Sequence, residues 1–444
     1  MKKLCLLLCL ALLLPVLTGC LLEPVENLYD VPQMPADIQA LQKVVRAAMP
    51  DGAVYSPPSA GENQQAVQLV DLDGDLVDEA VVFFRTTRTD TPLSLCIFDK
   101  IDGQYQLVAR LDGAGAAFDR VQYAQLDGLD GSEIVVGRRL SDQLMQLVNV
   151  YALRDGALVE LASGSYSELI TTDLDADGLQ DMILLRDNGA TQNATAEFYH
   201  WSSGQLVRER ETALSAPAAN IKRILTGKLS RNVPALFVAS TYAETSIITD
   251  IFIYRDRTFR NLTQSSGTDT SVQTVREYYV YSEDIDSDGL IELPRLVPMQ
   301  SLENEETSKD QSVICWYNLT VNGREEVKQY TYHNYSGGWY LALPEGWQEH
   351  LSVKRDGLVG NAMGFRFVWS ADFGTQEMFS VAAVSSENAA QVAVAEGWTV
   401  LEQKGEIVYV CRLESGAAAQ AVSLDTVRTM FHLIRTSWRT GETH

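Results

Sequence analysis

Residues 67–82 read VQLVDLDGDLVDEAVV, and this stretch decides the fold because it recurs. Residues 121–136 read VQYAQLDGLDGSEIVV, residues 169–184 read LITTDLDADGLQDMIL, and residues 280–297 read VYSEDIDSDGLIELPRLV. A fainter copy, ILTGKLSRNVPALFV, occupies residues 224–238. Each copy is an apolar run, a short loop and a second apolar run, and in all but the faint one the loop is crowded with acids. The loops start at 71, 125, 173, 226 and 284, so the spacing is 54, 48, 53 and 58 residues. Self-similarity at such a period is the mark of a repeat architecture.

A second signal keeps step with the first. A tight-turn sequence falls 30 or 31 residues after the first four loop starts: Asp102-Gly103, Asp155-Gly156, Ser203-Gly204 and Asp256-Arg257. The last copy has Asn322-Gly323, 38 residues on. Asp-Gly or Asn-Gly between β-rich runs is a strong hairpin signal. An aromatic stands four residues before each of the first four turns, at Phe98, Tyr151, Tyr199 and Phe252. Each unit then holds four strands, in the first unit at about residues 65–71, 79–86, 93–99 and 104–110. Four-stranded units of this length, repeated, predict a mainly β fold, a β-propeller of about five blades over residues 65–343.

Three of the loops carry acids at positions 1, 3, 5 and 9. The first has Asp71, Asp73, Asp75 and Glu79, the second Asp173, Asp175, Asp177 and Asp181, and the third Asp284, Asp286, Asp288 and Glu292. Four like charges within nine residues repel unless a cation sits among them, and a hard cation such as calcium takes six to eight oxygens in flexible geometry. The alternative is a solvated acidic turn without metal. Gly178 and Gly289 stand at position 6, where the chain must turn sharply, whereas the first loop has Leu76 there. The loop at 125–133 has Gln125 and Leu129 in place of acids and is expected to bind weakly or not at all. The loop at 226–234 has Lys228 and no carboxylate, and is not expected to bind calcium. An EF-hand is a weak reading, since it needs flanking helices and a Glu at position 12, and these loops have β-type flanks.

These loops resemble those of FG-GAP/VCBS repeats, which build the propellers of integrin α-chains and of many bacterial surface proteins. The resemblance covers residues 65 to about 340. It implies calcium ions of a structural kind, each tying the first hairpin of a blade.

The N-terminus speaks for export. Lys2 and Lys3 precede the apolar run LCLLLCLALLLPVL at 4–17, followed by Thr18, Gly19 and Cys20. This is the pattern of a secretory signal, expected over residues 1–19. Leu17-Thr-Gly-Cys20 also resembles the lipobox of bacterial lipoproteins, which implies lipidation of Cys20 and anchoring to the outer face of the cell membrane. Residues 20–35 read as a tether and 36–64 as a short helix with a lead-in. The formal charge is −24. A chain this acidic repels phosphate backbones, so nucleic acid is not an expected partner. Beyond the N-terminal region the cysteines are Cys96, Cys315 and Cys411, each inside an apolar run, and they read as small core residues.

Residues 344–444 read as a small α+β domain. Strands are expected at 364–369, 377–384, 398–403 and 406–413, and an amphipathic helix at 423–438 with Ser423 as its N-cap. No nucleophile elbow, P-loop, dinucleotide fingerprint or zinc-protease motif occurs. Trp316, Tyr317, Tyr330, Tyr332, Tyr335, Trp339, Tyr340 and Trp347 are candidates for stacking on sugars or, more simply, for the core. The expectation is a protein with no catalytic residues, not an enzyme, presenting the propeller as a binding or adhesion platform for an extracellular protein or glycan. Two alternatives stay open: a surface enzyme acting on polysaccharide from the propeller funnel, and an accessory envelope lipoprotein working through its C-terminal domain.

Overall fold

The computed structural model describes residues 35–87, 90–140, 146–189, 192–277, 280–299, 312–359, 362–371, 374–386 and 397–435. The expected signal segment and Cys20 lie outside the described residues. Among the described residues no helix is long and apolar enough to cross a membrane. The chain is mainly β, its strands arranged in antiparallel sheets. It forms two compact units: Met1–Pro57 with Gln65–Val70 and Leu76–Ala114, and Pro58–Gln64 with Asp71–Asp75 and Gly115–His444.

The first unit holds a helix (α1, Ala36–Ala48) and one sheet. Leu41 and Val45, one turn apart, form the buried stripe of α1 and meet Ala80, Val82, Phe84, Cys96 and Phe98. The sheet runs Val67–Val70, Glu79–Arg85, Leu93–Ile101, Gln104–Gly113, with Val54–Tyr55 beside the far half of Glu79–Arg85. Ala80 to Phe84 are all fully buried, which is why this strand reads as an unbroken apolar run and not as an alternation.

The second unit repeats that plan. The second sheet is Ala117–Ala124, Glu133–Arg139, Gln146–Arg154 and Ala157–Tyr166. The third is Glu168–Thr172, Asp181–Arg186, Thr195–Ser202 and Gln205–Arg208, with Thr212–Ala213 continuing the last edge. The fourth is Ile221–Ser230, Val233–Tyr242, Ser246–Arg255 and Thr258–Asn261. The turns foreseen in the sequence close these hairpins with two consecutive left-handed residues: φ is 51° and 76° at Asp102-Gly103, 50° and 72° at Asp155-Gly156, 55° and 80° at Ser203-Gly204, 53° and 59° at Asp256-Arg257. This is the type I′ geometry that the twist of paired strands favours.

Strand alternation lets the sheets of this unit stack in chain order. Met182 and Leu184 face the second sheet, joining Val135, Val148 and Val150. Ile183 and Leu185 face the fourth, joining Leu236, Val238 and Phe252. Ala235 and Phe237 then turn to the fifth, against Leu293, Tyr317 and Leu319. Both faces of the third and fourth sheets are thus covered, with each buried Leu, Ile or Phe stabilising by about 1.5–3 kcal/mol.

The fifth sheet departs from the repeat. It runs Leu293–Pro298, Ser312–Leu319, Glu325–Asn334, Trp339–Leu343 and Phe431–Leu433. Among the described residues ahead of its acidic loop stands a single bridge, Glu283 with Glu292. Val280 and Tyr281 are instead buried in small side-chain clusters, so their apolar surface is satisfied without a ladder. The sixth sheet orders Leu351–Val359, Ala362–Ala371, Gly374–Ser385, Ile407–Leu413 and Thr399–Lys404. Ser423 caps a helix (α2, Leu424–Met430) through a capping box with Thr426. The helix ends eight residues before its expected end, and Phe431–Leu433 become a strand paired with Trp339–Leu341. Phe431 stacks on Trp339 and against Tyr409, and that packing with the ladder outweighs the local helical pattern. Cys96, Cys315 and Cys411 are buried as free thiols.

Candidate metal centres

In the third sheet the acidic loop joins the first two strands, whose ladder fixes where its carboxylates point, and in the fifth the loop is closed by the Glu283–Glu292 bridge. In the third sheet Asp173, Asp175 and Asp181 bring carboxylate oxygens within 4.8 Å of one another, and in the fifth Asp284, Asp286 and Glu292 do the same. The backbone winds alike in both. Position 4 is left-handed at Ala176 (φ 62°) and Ser287 (φ 62°), and position 6 at Gly178 (φ 94°) and Gly289 (φ 84°). Asp173 Oδ2 accepts from the Gly178 amide at 3.1 Å and Asp284 Oδ2 from the Gly289 amide at 3.0 Å, so the first acid organises the turn that follows it.

The position-9 acid is the anchor. Asp181 and Glu292 are buried, and each accepts from the amide of the second loop residue: Leu174 to Asp181 at 2.7 Å and Ile285 to Glu292 at 3.0 Å. Asn318 Nδ2 donates to the other Glu292 oxygen at 2.7 Å. Burial pushes Asp181 up to about 8, with Asp175 and Asp177 adding repulsion, and pushes Glu292 up to about 7. Asp175 is raised as well, by burial and then by Asp177. Asp173 Oδ1 is buried and accepts no hydrogen bond. Oxygen-only donors, an orphaned carboxylate oxygen and buried acids that burial biases toward protonation fit a divalent hard cation.

The position-5 acids stand apart from these groups. Asp177 is exposed and its Oδ1 accepts from the Leu179 amide at 2.8 Å. Asp288 accepts from Leu290 at 2.9 Å and pairs with Lys328 Nζ at 2.9 Å, which holds its carboxyl below the usual range. The first loop has its acids in both units: Asp71, Asp73 and Asp75 in the second, and Glu79, fully buried, opening a strand of the first. Asp71 Oδ1 accepts from Gly74 at 2.7 Å, and Leu76 takes the left-handed conformation (φ 69°) that glycine supplies elsewhere.

The two divergent loops use other means. In the loop at 125–133 the Arg154 guanidinium pairs with the buried Asp127, a fixed cation at the place where the others gather carboxylates. Glu133 keeps the anchor bond from Leu126 at 2.7 Å and is pushed up to about 7 by burial. In the fourth sheet the loop has shrunk to the turn Arg231-Asn232, and Lys228 lies in the strand, exposed.

Sequence reasoning did not single out Arg154, Asn318 or His200. His200, buried, spans Asp175 Oδ2 at 3.2 Å and Glu209 Oε1 at 3.1 Å and so buttresses a loop acid. All three sit two strands away from the loops they serve, a distance no local motif reports. Of the candidate sugar-stacking aromatics, Trp316, Tyr317, Tyr332, Trp339 and Tyr340 are buried.

No family model matches the chain, and no curated protein matches it. Solved structures do. Rhamnogalacturonan lyase YesW is 12% identical, with 73% of this chain and 68% of that chain covered, at a TM-score of 0.30. Exotype rhamnogalacturonan lyase YesX is 10% identical, with 80% and 91% covered, at 0.29. Bacillus licheniformis rhamnogalacturonan lyase PL11 is 12% identical, with 72% and 62% covered, at 0.30. These matches correct the expectation that the chain is not an enzyme: the solved structures it is similar to include enzymes.

Proposed function

We propose that the chain is an exported protein, anchored at the cell surface through a lipidated Cys20, whose β-sheet repeats are tied by calcium and engage polysaccharide. The observation that carries the calcium reading is the gathering of three carboxylates, one buried, in each of two loops of like conformation. At calcium ten times the dissociation constant each site adds about 1.4 kcal/mol by mass action. Two such sites reach about 3 kcal/mol, a sizeable share of a domain's net stability.

Four-stranded meanders stacked in chain order support reading the repeats as FG-GAP/VCBS-type propeller blades. Contact between neighbouring loops agrees: the Gln180 amide donates to Gln125 O at 2.7 Å and the Ile291 amide to Lys228 O at 2.9 Å. Thermal unfolding in millimolar calcium and in excess chelator tests the metal reading, and coincident curves would sink it. For polysaccharide, the full chain is incubated with rhamnogalacturonan in calcium. Release of unsaturated chain ends would support an enzyme, binding without turnover would support a platform, and neither would overturn the polysaccharide reading.

A further inference from the structure

In the fifth sheet the ladder between Ser312–Leu319 and Glu325–Asn334 ends at Ile314 with Thr331. Beyond that pair each strand still follows its other neighbour, Ser312 with Pro298 and Asn334 with Trp339. The two strands part there, and a cavity of about 310 Å³ lies at the parting. Ser312 lines it from one strand and Tyr332, His333 and Asn334 from the other, with Tyr335 of the next turn and Arg355 and Phe365 of the sixth sheet. Asn334 is only 5% exposed and its side chain has one orientation. Its Oδ1 accepts from the Gly337 amide at 2.8 Å and from Ser336 Oγ at 2.9 Å. A backbone amide can only donate, so Oδ1 and Nδ2 cannot be exchanged. The two N–H groups of Nδ2 donate to nothing among the described residues, and Ser312 Oγ likewise makes no hydrogen bond among them. No acid lines the cavity.

We propose that this cavity binds a small aromatic carboxylic acid, its ring among Tyr332, His333, Tyr335 and Phe365 and its carboxylate on Asn334 Nδ2, Ser312 Oγ and Arg355. The site stands apart from the calcium and polysaccharide readings and needs neither. N–H and O–H groups with no acceptor call for one, and a carboxylate is the acceptor that also suits a guanidinium. A cationic ligand would meet Arg355 with no acid in the wall to offset the repulsion. Burial pushes the His333 imidazole down to about 3, so the ring is neutral and adds aromatic surface without a second charge. Stacking on Tyr340, with ring centroids 4.9 Å apart, fixes its plane. Aromatic rings gain from offset and edge contacts with one another beyond the area they bury. The volume sits at the low end of small-molecule sites, roughly 300–1,000 Å³, which suits one ring system with a short acid arm.

The test is calorimetric titration of the full chain with phenylacetate and indole-3-acetate. Two controls are phenylacetamide, which lacks the charge, and cyclohexylacetate, which lacks the aromatic ring. At least one of the aromatic acids is expected to bind, and both controls at least tenfold more weakly. Asn334→Asp keeps an acceptor for Gly337 and Ser336 but sets a negative oxygen where Nδ2 stood, and should weaken binding of the acid at least tenfold. Arg355→Gln, at an exposed residue, should weaken it about threefold, as suits a charge partly in solvent. No binding of either aromatic acid at millimolar concentration, equal binding of either control, or undiminished binding by a folded Asn334→Asp would each overturn the proposal. If Asn334→Asp does not fold, undiminished binding by Arg355→Gln overturns it.

Discussion

Asp181 and Glu292 are carboxylates that burial keeps protonated to unusually high pH, up to about 8 and about 7. Without metal, the native chain holds protons that ordinary carboxylates of the unfolded chain release near pH 4. The native state then binds more protons than the unfolded state between about pH 4 and 8, so metal-free stability falls as pH rises through that window. A cation bound at these acids would displace those protons. The calcium-dependent rise in unfolding temperature should therefore be larger at pH 8 than at pH 5.5, and a rise independent of pH would contradict the assignment. Within one loop, Asp175→Ala or Asp181→Ala should remove that loop's share of the calcium effect, read by calorimetric titration, whereas Asp177→Ala should leave it in place because Asp177 is turned to its own backbone. Backbone strain gives a separate handle. Leu76 (φ 69°) and Arg257 (φ 59°) are exposed residues in a conformation that disfavours a side chain, and Leu76→Gly or Arg257→Gly should each stabilise by about 1 kcal/mol in denaturant unfolding.

Acids crowded in a loop must be neutralised. In the third and fifth sheets the loop gathers carboxylates that a cation can neutralise, and the loop at 125–133 uses Arg154. Arg154 is partly solvent-facing while Asp127 is buried, so Arg154→Ala should cost about 2 kcal/mol, between the values for surface and buried pairs. Chelator should not reproduce that loss. Loop packing adds its own constraint: a Cβ on Gly131 (φ 97°) would stand 2.4 Å from the Leu72 carbonyl oxygen. Gly131→Ala should destabilise by more than about 2 kcal/mol, visible as a lowered denaturant midpoint. Strands were legible here because apolar runs and Asp-Gly turns are local signals. A first strand ahead of the loop at 284 and the helix expected to 438 did not form as the pattern suggested, because the sequence pattern is silent about Val280 finding Ile314 and Trp316, or Phe431 finding Trp339.

At the scale of the whole molecule, the fifth and sixth sheets share one core in which Val313, Trp339 and Leu341 meet Phe367, Phe379, Val427 and Phe431. A core held in common unfolds in common, so calcium bound at 284–292 should slow amide exchange in Gly374–Ser385 of the sixth sheet. Exchange there that ignores calcium would contradict that coupling. Phe431→Ala should cost about 3–5 kcal/mol by cavity formation, although the residue lies far along the chain from the repeats. The sequence by itself determined the mainly β repeats, their hairpins, the acids at positions 1, 3, 5 and 9, and the buried cysteines, because all of these rest on spacing along a strand or within a turn. Only the tertiary structure decided which acids face one another, that Arg154 pairs with Asp127, that His200 and Asn318 buttress loop acids, and that the C-terminal strand completes the fifth sheet. Those outcomes depend on groups that the stacking of sheets brings together, and the energy of such contacts is set by burial and distance, not by position in the chain.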